Sequence, residues 1–258
     1  EYGVAIALNV GDLLIGEGYR LIAACKASAE QKAEMMMVAA QGQRQLCRGQ
    51  GAELCWARSP QPLSSGQVLD IFRSKTAPAF EVALRLGALY AGTDEHEEVS
   101  DVLRDYSEAL GIAYQIRDDL SDLGASGETN DIAGQRPSLL LATAYERATL
   151  EAAGADQTRA ATRAAQKVAL EAQWRRLSTA APAETEALYL ALHADERSRT
   201  LLESYKEEAI RSLRDVDNAN LKGLLRRVLG KIFNDTEIKG WCKEFEEKNL
   251  APMDGGAV

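Results

Sequence analysis

Aromatic side chains are scarce in these 258 residues: Phe, Trp and Tyr together make up 6%. Strands favour aromatic and β-branched residues, whereas the abundant Ala and Leu favour helices. Histidine is scarcer still, with only His96 and His193. The four cysteines, Cys25, Cys47, Cys55 and Cys242, show no CxxC spacing and lie far from both histidines in sequence. That argues against a zinc site and offers no disulfide framework. The cysteines read as reduced thiols of a cytoplasmic protein. No apolar run approaches the ~18 residues of a membrane span, and no secretory signal is visible. An excess of basic charge is also lacking. A net charge of -9 argues against a nucleic-acid binder, which would carry a basic face. Anionic ligands stay open, because divalent cations can sit between them and acidic side chains.

What is present is helical periodicity. Residues 1–25 place Val4, Leu8, Leu14, Ile15 and Ile22 at helical spacing. A second helix is predicted over 28–56, with Ser28 as N-cap and Gln31 three places on. SPQPLSSG at 59–66 reads as a turn. The next helix covers 65–91, interrupted near Pro78, which removes a helical hydrogen bond and kinks the chain. Further helices are predicted over 97–123, 139–153, 155–178, 183–214, 217–233 and 235–248, with a polar loop, a candidate lid, over 124–138. The fold class is all-α: a single-domain bundle of long, mostly antiparallel helices around a central cavity. It spans 1–248, and 249–258 reads as a disordered tail.

The segment GIAYQIRDDLSD (111–122) carries the most chemistry. At about 100° per residue, with Gln115 as zero, Asp118 lies near about -60°, Asp122 near about -20° and Asp119 near about +40°. Gly111 lies on the same side, Ile112 and Ile116 border the arc, and Arg117 points nearly opposite. Like charges so close repel, by ~0.2–0.5 kcal/mol per pair, unless a hard cation takes their oxygens. Mg²⁺ binds through one or two carboxylates plus substrate phosphates, which points to a phosphorylated ligand. A solvated acidic face is the alternative for these aspartates alone.

The run G-x-x-Y-Q-I-x-D-D-x-x-D resembles the second aspartate-rich motif of the trans-isoprenyl diphosphate synthases, the polyprenyl synthetases. Other segments agree in order. ALNVGDLL (7–14) is similar to the helix after that family's first aspartate motif, and GQGAEL (49–54) resembles its GQ-x-x-[DE]-L. SKTAPAFEVALRLGALYAG (74–92) resembles its KT-bearing helix, and DIAGQRPSLLLA (131–142) the region after the second motif. The resemblance is clear over about residues 3–142, and LLESYKEEAIRSL (201–213) fits more weakly.

The resemblance implies a Mg²⁺-dependent prenyltransferase that joins isopentenyl diphosphate head to tail to an allylic diphosphate. The C–O bond ionises to an allylic cation, the isopentenyl double bond attacks, and a proton leaves. Such chemistry needs electrostatic stabilisation more than a side-chain nucleophile. By resemblance, Asp118, Asp119 and Asp122 hold the metal, Lys75 grips the allylic diphosphate, and Thr76 and Gln115 face the cation. Gln50 and Glu53 line the cavity or order water, and Arg136 contacts phosphate. Structural readings stand beside each: a solvated charge for Lys75 and Arg136, a helix-kink residue for Thr76, a buried amide for Gln115, and a hydrogen-bonding role for Gln50 and Glu53. Asn9 and Asp12 read as structural. Met35, Met36 and Met37 read as core or dimer-interface filler.

Two departures stand out. The first aspartate motif would lie just before Glu1, which reads as a missing N-terminal piece. Glu128 stands where the family has a loop lysine. A homodimer follows from the resemblance. The other readings are a non-catalytic subunit that regulates a prenyl diphosphate synthase, a head-to-head condensing or terpene-cyclising relative, and a helical scaffold without a ligand. Product length is not legible in these residues.

Overall fold

A computed structural model describes residues 3–92, 96–124, 132, 135–152, 157–214 and 216–234. Among them it forms α1 (Gly3–Ala24), α2 (Ala29–Arg58), α3 (Ser65–Ala91), α4 (His96–Ser121) and α5 (Leu139–Ala152). They are followed by α6 (Gln157–Trp174), α7 (Pro182–Ala191), α8 (Ala194–Ser212) and α9 (Ala219–Phe233). There is no strand among the described residues, as the all-α reading requires.

The helix starts follow local chemistry. Ser28 and Gln31 form the predicted capping box at α2, each side chain bonded to the other's backbone amide. Ser64 and Gln67 repeat it at α3. Each box satisfies two amides that the first turn leaves open. α3 ends at Gly92, whose φ of 71° is the left-handed conformation that glycine adopts without steric cost.

Charged side chains from neighbouring helices also reach helix ends. Asp119 of α4 accepts a 2.5 Å bond from the amide of Leu139, the first residue of α5. Glu146 of α5 accepts a 2.7 Å bond from the amide of Ser65, the first residue of α3. Arg117 of α4 donates a 2.6 Å bond to the carbonyl of Ile232 at the end of α9. Negative charge at helix starts and positive charge at helix ends match the macrodipole.

α2, α3 and α4 form a close layer. Gly49 of α2 lies against the backbone of Ser74, and a Cβ there would meet the Ser74 carbonyl and the Lys75 nitrogen. Gly42 likewise lies against Val82, so α2 and α3 run antiparallel. On the other flank, a Cβ at Gly111 of α4 would stand 2.6 Å from Ala77 Cα. The main core, with Phe72, Ile112, Ile116, Trp174 and Tyr189, joins α3 and α4 to α5, α6 and α7. A second core joins Tyr106 and Leu110 to Leu213, Leu225 and Leu229, with the Tyr106 hydroxyl donating to the Leu225 carbonyl at 2.7 Å.

Several expectations need correction. α3 is one continuous helix through Pro78. Proline's missing N–H removes only the bond to Ser74 four residues back, and that carbonyl is the one facing Gly49. The predicted helix over 183–214 is two helices, broken at Leu192 and His193. His193 takes φ 52° although neither glycine nor proline marks the break. α6 stops at Trp174, with Arg176 also left-handed at φ 58°. In α1, Val4, Leu8, Leu14 and Ile15 are exposed and only Ile22 is buried. Met35 is buried, Met36 half-buried and Met37 exposed. The predicted helix over 235–248, the tail, most of the 124–138 loop and Glu128 lie outside the described residues.

Candidate active site

The KT segment sits between two close backbone approaches in the three-helix layer. The two glycine contacts, Gly49 on Ser74 and Gly111 on Ala77, fall on either side of Lys75 and Thr76. Both side chains are half-buried. Lys75 Nζ donates a 3.0 Å hydrogen bond to Glu53 Oε2 of α2 and lies 5.5 Å from the centre of the Phe72 ring. Lys75 and Glu53 side chains are 18% and 17% exposed, which leaves the ammonium reachable from water. Gln50, one turn before Glu53, is exposed, and Gln115 is half-buried on α4.

The three aspartates, two in the last turn of α4 and Asp122 just past its end, have different surroundings. Asp118 is open to water, with 55% of its side chain exposed. Asp122, one turn on, is half-buried. Asp119 is 2% exposed and turned toward α5. Beside it stands Ser138, whose hydroxyl accepts from the amide of Leu141, and the buried Tyr189. Burial first, and the Asp119 charge second, push the Tyr189 hydroxyl far above the ordinary tyrosine range. Asp119 thus stands in a polar knot that fixes α5 on α4.

Among the described residues no three His, Cys, Asp or Glu side chains gather into a ready-made cation site. The donor set still fits magnesium of the phosphate-bridged kind. Such an ion takes one or two carboxylates, keeps waters and completes its octahedron with substrate oxygens. Asp118 in the last turn of α4 and Asp122, the residue after its end, are four apart and can face such an ion together. Arg136 is exposed two residues before Ser138.

An open cavity of about 510 Å³ lies between α2, α3 and α4. Gly49, Ser74 and Ala77, next in sequence to Gln50, Lys75 and Thr76, form part of its wall, and Arg73, Arg104 and Glu108 form another part. Arg73 pairs with Glu108 at 2.6 Å and also with Asp70. Glu108 and Arg104 stand seven and eleven residues before Gln115, on the same face of α4. Sequence reading passed over these charges, although that spacing was visible. It also passed over Arg117, whose role depends on α9.

Cys25, Cys47 and Cys55 stand as free thiols. No helix among the described residues is long and apolar enough to cross a membrane.

The sequence model of the family described as polyprenyl synthetase matches residues 1–173. Octaprenyl diphosphate synthase of Haemophilus influenzae is 29% identical over 147 residues, which cover 55% of this chain and 42% of that protein. Farnesyl diphosphate synthase of Bacillus subtilis is 31% identical over 132 residues, or 49% of this chain and 43% of that protein. The chain spans less than half the length of these curated relatives. Among solved structures, a geranylgeranyl pyrophosphate synthase of Corynebacterium glutamicum, complexed with isoprenyl diphosphate and magnesium, shares the fold at TM-score 0.74. It is 22% identical, with 90% of this chain and 63% of that chain covered.

Proposed function

This chain belongs to the polyprenyl synthetase family, and on that premise we propose that it serves a Mg²⁺-dependent trans-prenyltransferase. The reaction is the head-to-tail condensation of isopentenyl diphosphate with an allylic diphosphate to an all-trans polyprenyl diphosphate. One observation carries the reading: the family match spans both the KT segment clamped between Gly49 and Gly111 and the aspartate stripe of α4.

In this reading Lys75 binds the allylic diphosphate, and Asp118 and Asp122 hold the metal. Magnesium, when bound, supplies the Lewis acidity that neutralises the diphosphate leaving group. Gln115 and Thr76 face the allylic cation, and Gln50 and Arg136 contact substrate. Asp119 belongs with the aspartates in sequence, but its carboxylate serves the site by fixing α5 on α4.

The partner is a second copy of the chain. Val4, Leu8 and Leu14 of α1, 77%, 66% and 65% exposed, offer an apolar stripe for it. The free thiols Cys25, Cys47 and Cys55 support a reducing compartment, the cytoplasm.

The test is to supply full-length protein with isopentenyl diphosphate, each allylic primer in turn and Mg²⁺, and to size the products. Chain elongation that stops on chelation is the expected result. Absence of product with every primer would leave the regulatory-subunit reading.

A further inference from the structure

Arg117 stands with its back to the aspartate stripe, yet it is the side chain that ties that stripe to the C-terminal part of the fold. Nη1 donates to the Ile232 carbonyl at 2.6 Å, in the last turn of α9, where helix carbonyls lack internal donors. The guanidinium carbon lies 4.5 Å from the Tyr114 ring centre and 5.7 Å from that of Phe233. Tyr106, eleven residues earlier on the same face of α4, donates to the Leu225 carbonyl of the same helix. The guanidinium is therefore held by a hydrogen bond and two rings. Its Nη2 sits 3.7 Å from Asp118 Oδ1.

We propose that Arg117 is a positioning residue that fixes a permanent positive charge behind Asp118 and thereby sets how tightly Asp118 takes a divalent cation. The inference rests on the reading of Asp118 as a metal ligand. A lysine or arginine with a free stem would swing away when a cation arrived. Arg117 is clasped to α9 and stays, so the incoming cation meets a like charge across one carboxylate. The charge also offsets the crowding of Asp118 beside Asp119 and Asp122 while no cation is bound. The arrangement trades affinity for reversibility. A cation arriving with a diphosphate is held, and a cation alone is held weakly.

The charge and the clasp separate in two variants. Arg117→Gln removes the charge but keeps an amide donor for the Ile232 carbonyl. Arg117→Lys keeps the charge but loses the planar stacking on Tyr114 and Phe233. Mg²⁺ binding is measured by calorimetry on the full chain, with and without inorganic pyrophosphate, after circular dichroism has shown native helicity. Arg117→Gln should bind Mg²⁺ about threefold more tightly, the order expected of removing a half-exposed charge. Arg117→Lys, freed of the two rings and able to swing away, should bind Mg²⁺ more tightly than the parent but less tightly than Arg117→Gln, and melt at a lower temperature. A parallel Asp118→Ala variant separates this inference from the reading beneath it. If Asp118→Ala abolishes Mg²⁺ binding while Arg117→Gln binds as the parent does or more weakly, the positioning role is overturned and the metal ligand stands. If Asp118→Ala binds Mg²⁺ unchanged, both are overturned. Should Arg117→Gln not fold, tighter Mg²⁺ binding by Arg117→Lys than by the parent supports the clasped-charge role, and equal or weaker binding refutes it.

Discussion

Lys75 of α3 and Glu53 of α2 are joined by a 3.0 Å hydrogen bond between half-buried side chains. The glutamate orders the lysine before any ligand arrives and competes with an anion for it. Lys75→Ala should therefore raise the KM for the allylic diphosphate by at least about tenfold, the worth of one charge-assisted bond. Glu53→Gln should lower that KM or leave it unchanged. Steady-state kinetics with the allylic substrate varied check both. An unchanged KM in Lys75→Ala would remove the lysine from the site.

Asp118 and Asp119 are neighbours with opposite jobs, and single substitutions should separate them. Asp118→Ala should lose turnover and Mg²⁺ dependence while keeping its melting temperature, because its side chain faces water. Asp119→Ala leaves the Leu139 amide without its acceptor in the core. It should cost ~1–3 kcal/mol in urea denaturation, the range for an orphaned buried donor. Equal stability loss in the two variants would contradict the separation.

Gly111→Ala puts a methyl group into the backbone of Ala77. Overpacking of this kind costs ~1–3 kcal/mol. The same substitution at Gly87, where nothing stands within 4 Å, should stabilise by a few tenths up to ~1 kcal/mol through helix propensity. Thermal melts of the two variants, opposite in sign, check the close approach of α3 and α4.

Alkaline stability follows from the tyrosines. Burial first, and the bond to Glu171 second, push the Tyr145 hydroxyl from 10.0 up to about 12. Tyr106 and Tyr189 are raised further by burial. A group with a raised folded-state pKa supports folding below its unfolded value and loses that support as pH climbs toward the folded one. Stability should hold up to about pH 10 and fall between there and about 12. Tyrosinate absorbance and circular dichroism, titrated together, should show the buried tyrosines ionising only as the helices melt.

The apolar stripe of α1 gives the fifth test. Leu8→Glu with Leu14→Glu should shift the protein from dimer to monomer in sedimentation, with helicity unchanged, because both side chains face solvent in the single chain. A wild-type monomer would remove the dimer from the proposed function.

The helices themselves were largely legible, because propensity and 3.6-residue periodicity act within one segment. Ser28 with Gln31 could be read as a cap for the same reason. The break at His193 could not, since its left-handed backbone follows from packing Tyr189 and Leu192 into the core rather than from a local breaker. The aspartate stripe was legible as a stripe. The turning of Asp119 away from it was half visible, for that residue lies at the edge of the arc nearest Ile116. What it caps was not visible, because Leu139 reaches it only through the fold. The same holds for Glu53 with Lys75 and for Arg117 with Ile232. The outward face of α1 shows the limit of periodicity, which reveals that a helix has an apolar side but not what that side meets.

Three helix ends take their caps from other helices: α5 from Asp119, α3 from Glu146 and α9 from Arg117. Ser64 with Gln67 and Ser138 also cap the first turns of α3 and α5 locally, but the bonds at Ser65, Leu139 and Ile232 form only when the helices meet, and short helices alone in water are marginal. Full capping of these ends therefore requires the packed fold. A fragment cut to contain α5 without α4, or α9 without α4, would forfeit the charge that closes its ladder. The cooperativity of the chain is written into where its ionic groups reach.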